Sequence, residues 1–151
     1  MCSSDLSNSK DMIDLRSKFG RVVKQHLKNE YFIWLTSVDS NLAPQPRPVW
    51  FIWEDDSFLI FSQAKAHKVK HIKKNPRVAL HFNTDETGDK HVIVFIGEAS
   101  IDLHCPPAHK VPAYFKKYKD GIAVLDMTPE GFSEEYSIAI RIRPTQMRGW
   151  E

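Results

Sequence analysis

Residues Trp50 to Arg77 read WFIWEDDSFLIFSQAKAHKVKHIKKNPR. The segment holds a polar turn, Glu54-Asp55-Asp56-Ser57, then an apolar strand, Phe58 to Ser62, then a short helix stopped by Asn75-Pro76. The helix carries Lys65, His67, Lys68, Lys70, His71, Lys73 and Lys74, and no Asp or Glu interrupts the run from Ser62 to Arg77. A hydroxyl at a strand end followed at once by a basic helix start suits a phosphate. The free N–H groups of a first helical turn and the helix dipole both favour an anion there. The bland alternative is a solvated basic face, which is what most charge runs are.

Working outward, the period of apolar residues changes along the chain. Leu15, Phe19, Val22, Val23 and Leu27 recur at helical spacing from Asp11 onward. Tyr31 to Val38 is rich in aromatic and β-branched residues and ends in the turn Asp39-Ser40-Asn41. A second strand spans Leu42 to Trp53, with Pro44, Pro46 and Pro48 two apart. Proline cannot donate to a ladder, so this strand lies at an edge or faces a ligand. Beyond the basic helix come strands at Arg77 to Phe82 and His91 to Leu103, then a helix from Pro106-Pro107 to about Tyr118. Thr128-Pro129-Glu130 reads as a second helix start, and Tyr136 to Arg143 alternates as a last strand that extends past Pro144 to Trp150. Strands joined by tight turns pair antiparallel. This many in a small chain predict a mainly β fold with flanking helices, closed or nearly closed into a barrel. Residues 11–151 are expected to form one domain, after a frayed, disordered N-terminus over residues 1–10.

Bulk properties exclude several classes. Over 151 residues, hydrophobic residues make up 42% and charged residues 26%, and the net charge is only +2. This is a globular composition with too little charge to imply a nucleic-acid or membrane partner. No apolar run is long enough to span a bilayer, and MCSSDLSNSK lacks the layout of a signal peptide, so a cytoplasmic location is expected. Cys2 and Cys105 have no metal or redox spacing.

Three constellations carry candidate chemistry. Ser62, His67 and Lys68 would bind phosphate through a hydroxyl donor, an imidazole and a point charge. Arg47, Pro48, Val49 and Trp50 lie on the proline-rich strand. They would line a flat ring system, with Trp50 as a wall and Arg47 reaching an acid or phosphate; otherwise the strand is an edge with a core tryptophan. His67 and His71 stand four apart, but no third ligand is evident and no metal is expected. His26, His81, His91, His104 and His109 are scattered, and neither Ser62 nor Cys105 has the setting of a nucleophile. No catalytic acid or base stands out.

The runs FIWLTSVDSNLAPQPRPVWFIWEDDSFLIFS and KVKHIKKNPRVALHF resemble the pyridoxamine 5′-phosphate oxidase-like split β-barrel superfamily. The closing stretch VPAYFKKYKDGIAVLDMTPEGFSEEYSIAIRIRPTQMRGW is similar to its small branch of deazaflavin (coenzyme F-420)-dependent enzymes. The resemblance implies a six-stranded antiparallel split β-barrel that forms a homodimer, with FMN or the deazaflavin coenzyme in clefts at the interface. It puts Ser62 and Lys68 on phosphate-binding positions, His67 where a basic residue is frequent, and the Arg47 to Trp50 strand along the ring. It implies hydride transfer to or from a small planar substrate, with Trp50 and Trp150 on the substrate side. The substrate-phosphate residues near the C-terminus of pyridoxamine phosphate oxidases find no match in Met147 to Glu151, so that reaction is not expected. Three other readings stay open: a haem-binding split barrel, a non-catalytic flavin-binding module, and a barrel for single-stranded nucleic acid.

Overall fold

The computed structural model describes residues 13–151. The expected frayed segment, and Cys2 within it, lie outside the described residues. The chain runs α1 (Lys18–Asn29), β1 (Phe32–Val38), β2 (Pro44–Trp50), β3 (Ile52–Glu54), β4 (Ser57–Ser62), α2 (His67–Lys74), β5 (Arg77–His81), β6 (Val92–Ile101), α3 (Pro112–Val124), α4 (Pro129–Glu135) and β7 (Ile138–Trp150). A short 3-10 turn, Ala108–Lys110, precedes α3. The fold is mainly β with flanking helices, as the apolar periods predict.

The strands form one antiparallel sheet in the order β2-β1-β5-β6-β7-β4-β3. Its two edges, β2 and β3, are successive pieces of one chain segment separated only by Phe51. The sheet therefore curls until its edges meet at that residue. The strand expected over Leu42 to Trp53 is thus two, giving seven strands against the six expected. The break has a chemical cause. The Phe51 N–H donates to the Tyr118 hydroxyl (2.7 Å), and its carbonyl accepts from Lys117 Nζ (2.9 Å) and lies 2.7 Å from the same hydroxyl. With its backbone groups bound by α3, Phe51 has none left for a ladder. The hydroxyl has one proton; with Lys117 serving Phe51, that proton can go to the Tyr31 carbonyl at 2.6 Å.

Local chemistry explains the other junctions. Asp55 and Asp56 both have positive φ, which makes the two-residue β3–β4 turn of the type that matches strand twist. Thr128 caps α4 by accepting from the Gly131 N–H at 2.9 Å, with Pro129 in the first turn. Pro144 has no N–H, and beside it the β6–β7 register shifts by one residue, so β7 continues as a single strand to Trp150.

Two cores result. Inside the curl, Ile33, Leu35, Phe51, Phe58, Phe95 and Ile140 pack with Val23 and Leu27 of α1 and Val69 and Ile72 of α2. Outside it, on the β4–β7 side, Leu59, Phe61 and Ala139 are covered by Tyr114, Tyr118, Ile122 and Phe132 of α3 and α4. The outer face of β1, β5 and β6 belongs to neither core: Phe32, Trp34, Ala79, Val94 and Ile96 are exposed or half-buried. The Trp34 ring stacks on His81 across the ladder, with centroids 6.2 Å apart.

Two outcomes test the Phe51 junction. Tyr118→Phe leaves a buried N–H without its acceptor and should destabilise the fold by about 1–3 kcal/mol in urea unfolding; an unchanged midpoint would show that the hydroxyl is dispensable. Burial lowers the Lys117 pKa from 10.5 to about 8, against an opposing pull from Glu30. Between those values the unfolded chain holds a proton that the folded chain has released, so this group adds stability as pH rises through the window. The stability of wild type relative to Lys117→Met should therefore increase between pH 8 and 10, and a constant difference would contradict the depressed pKa.

Candidate functional site

A cleft of about 340 Å³ opens where the broken strand passes the end of β4. Pro48, Val49 and Trp50 of β2 form one wall, while Phe61, Ser62 and Gln63 form the floor at the end of β4. Ala66 and Lys68, at the start of α2, close one end. Tyr114, Leu125, Phe132 and Tyr136 face them from the insertion between β6 and β7.

The aromatic side is rigid. Trp50 stacks on Tyr118 with centroids 4.6 Å apart and planes within 4°, and on Phe132 at 5.7 Å; Phe132 in turn stacks on Tyr136 at 4.6 Å. Helix α3 approaches this stack closely because residue 121 is glycine. A Cβ there would lie 2.1 Å from the Tyr31 hydroxyl and 3.0 Å from the Trp50 ring. Gln63 Nε2 donates to Glu135 at 2.8 Å and ties the floor to α4.

The other end is electropositive. Ser62 is 2% exposed, and its hydroxyl donates weakly to the next carbonyl at 3.2 Å. The cap residue of α2 is Ala66, in extended geometry and with no side-chain acceptor for the first-turn N–H groups. Lys68 is half-buried, and burial together with the nearby charge of Arg47 lowers its pKa. Among the described residues neither cation has a carboxylate partner. Two neighbouring cations and an uncapped helix start make a ready site for an anion.

Of the residues singled out in the sequence, Pro48, Val49, Trp50, Ser62 and Lys68 share this cleft. Arg47 and His67 line a second cavity that shares Pro48, Ala66 and Lys68 with the first. Trp150 is not brought to it. It pairs with Val92 at the far side of β6, is 54% exposed, and donates its indole N–H to the Asp89 carbonyl. Along β7 it lies nine residues beyond Arg141, which is laddered through Leu59 to Ile52 beside the Phe51 break, roughly 30 Å at ~3.3 Å per residue. The sequence reading missed Tyr114, Phe132 and Tyr136. Thr128-Pro129 announces α4, but nothing local announces that α4 walls a cleft built on β2. No group of three or more His, Cys, Asp or Glu suited to a metal occurs among the described residues. Burial and the nearby Asp102 raise the pKa of Cys105, the opposite of activation.

A family model described as pyridoxamine 5′-phosphate oxidase matches residues 19–151. The chain belongs to this family. No curated protein sequence matches it. Among solved structures, an F420 reductase is 22% identical, with a TM-score of 0.62 over 83% of this chain and 94% of that one. The heme storage protein HutZ from Vibrio cholerae is 16% identical, with a TM-score of 0.59 over 83% and 90%. A conserved hypothetical protein from Mycobacterium tuberculosis is 18% identical, with a TM-score of 0.69 over 89% and 84%. At these identities the structures establish a shared fold. The pyridoxamine 5′-phosphate oxidase-like superfamily includes both FMN- and deazaflavin-binding members, and the split-barrel architecture is theirs. No described helix is long and apolar enough to cross a membrane.

The uncapped start of α2 yields a prediction. Ala66→Asp supplies the missing cap and should raise stability by about 1 kcal/mol in chemical denaturation, while placing a negative charge where an anion would sit. No gain in stability would mean that the first-turn N–H groups already have partners.

Proposed function

We propose that this chain is an FMN- or deazaflavin-binding oxidoreductase that transfers a hydride to or from a small planar substrate. The observation that carries the proposal is one cleft with an aromatic wall and a cationic end, assembled from residues far apart in sequence. A flat tricycle on a ribityl phosphate needs both features. The bound ring would supply the hydride chemistry, and the protein would bind and orient it.

In this reading Ser62, Lys68 and the α2 start hold the phosphate, with His67 and Arg47 adding to the positive field. Pro48 and Val49 lie along the ring edge. Trp50, fixed by its stack on Tyr118 and Phe132, sets the width left for substrate. Tyr114 lines the cleft and burial raises its pKa, so its hydroxyl would meet a ligand as a neutral phenol; the Tyr118 hydroxyl is already committed to Phe51 and Tyr31. The aromatic side also keeps water from the ring face.

The same reading takes the chain as a homodimer of single-domain subunits. The apolar outer face of β1, β5 and β6, with Phe32, Trp34, Val94 and Ile96, is the surface it would bury. Trp150 lies beside that face rather than in its own cleft, so a role near substrate would require the cleft of the second copy.

Two measurements test these statements. Lys68→Ala removes one charge-assisted contact worth about 1.5–3 kcal/mol, so affinity for FMN or for the deazaflavin coenzyme should fall about 10- to 150-fold in a fluorescence titration. Unchanged affinity for both would remove the phosphate assignment. Val94→Glu should convert a dimer to a folded monomer in sedimentation velocity, and a wild type that is monomeric at micromolar concentration would refute the dimer.

A further inference from the structure

At the C-terminal end of α2 the turn between β1 and β2 faces the helix across a cavity of about 550 Å³. It shares no lining residue with the aromatic-walled cleft. Val38 and Leu42 line it from the turn, and Lys70 and Lys74 line it from the helix. The turn is stiff. Asp39 Oδ1 accepts from the Asn41 and Ala43 N–H groups at 2.9 Å each, and the Asp39 N–H donates to the Ala43 carbonyl at 3.0 Å. Leu42 is thereby held at φ 63°, with 75% of it exposed. A left-handed backbone suits glycine or asparagine, so a leucine there is strained, and its exposed side chain gains nothing from burial. The turn presents an apolar group at a fixed position, at a cost to the free chain.

The facing helix is basic. Lys70 and Lys74 are both exposed and stand four apart, so they share one face, where like charges repel. Lys74 lies in the last turn, where the helix dipole favours a cation; Lys70 lacks that support. Neither has a carboxylate partner among the described residues, and no Asp or Glu occurs in the sequence between Asp56 and Asp85. The carboxylate that lines the cavity, Asp39, is held by its own turn and by Gln45 Nε2, which donates to Oδ2 at 3.1 Å. The whole chain carries a net charge of only +2, so this field is a local arrangement and not a by-product of composition.

We propose that this cavity is a docking surface for an acidic segment of a partner protein, with Lys70 and Lys74 pairing its carboxylates and Leu42 packing against an apolar residue between them. Charge complementarity selects the partner. The turn is ordered before binding, so little entropy is lost there on association. A nucleic acid fits less well. Helix α2 has eight residues, roughly 12 Å at ~1.5 Å each, so it meets few phosphates, and no Phe, Tyr or Trp lines the cavity for a base to stack on. A lipid surface is flat and would leave the concavity unfilled, with a single leucine to insert.

The test measures, by fluorescence anisotropy at low ionic strength, binding of the full chain to a fluorescein-labelled peptide of glutamates flanking a pair of leucines. The same peptide with glutamine in place of glutamate is the control. Wild type should prefer the acidic peptide about fivefold or more, and added salt should erase the preference. Lys70→Glu combined with Lys74→Glu should abolish it, with circular dichroism checking the fold. Leu42→Asn should weaken acidic-peptide binding severalfold while raising the urea midpoint, because asparagine tolerates the left-handed backbone; a residue that serves only the turn would not lose binding as stability rises. Equal binding of the two peptides, or a preference that the lysine substitutions leave intact, would overturn the proposal. So would tighter binding to oligothymidylate or to vesicles containing phosphatidylserine than to the acidic peptide, since the surface would then belong to another class of partner. The wild-type comparison decides the matter even if a variant misfolds.

Discussion

The hydroxyl of Tyr118 organises this molecule. It accepts the Phe51 N–H and sits within hydrogen-bond distance of two carbonyls, at the residue where one strand becomes two. A curled sheet must deal with its edges, and here the edges are the two halves of a single segment, held apart from each other's ladder by a helix. Because the pin comes from α3, the same contact that turns the strand also seats α3 against Trp50. The width of the cleft and the closure of the sheet thus depend on one side chain. Gly121, one turn further along α3, allows the approach that the stack requires.

Charge is treated in the opposite way. Lys68 and Arg47 stand near each other with no carboxylate partner among the described residues, beside a helix whose cap is an alanine. Like charges in proximity and an unfilled helix start both cost stability. Such local inconsistencies are expected where a ligand completes the electrostatics. A surface tuned for stability alone would put Asp or Ser at residue 66 and a carboxylate near Lys68.

What the sequence made legible follows from range. The Thr128 cap, the stop at Asn75-Pro76 and the polar turn before β4 depend on neighbours a few residues apart, and the structure agrees with them; the helix expected from Pro106-Pro107 to about Tyr118 is instead a 3-10 turn at Ala108–Lys110 and a helix over Pro112–Val124. The anion end of the cleft was readable for the same reason, since Ser62 and Lys68 are local to one strand–helix junction. The aromatic side was not. Tyr114, Phe132 and Tyr136 meet Trp50 only because α3 and α4 fold back over β4 and β7, and a tyrosine in an amphipathic helix has no mark that tells a pin from core filler. The break at Phe51 was hidden too, because the groups that divert it lie 67 residues away in sequence. Trp150 was misleading in the other direction: a tryptophan near the end of a chain invites a role, and the ladder sets it apart.

The position of β7 has a consequence for how the chain is made. In the sheet order it lies between β6 and β4, so among the described residues no other ladder joins the β2-β1-β5-β6 half to the β4-β3 half. Each half consists of strands close in sequence, apart from the β1–β5 pair, and can form as the polypeptide leaves the ribosome. The seam is sewn by the strand that emerges last. Throughout synthesis both halves therefore present a bare edge at the site where β7 will enter, and the nascent chain stays open to pairing with other strands until residues 138–150 clear the exit tunnel.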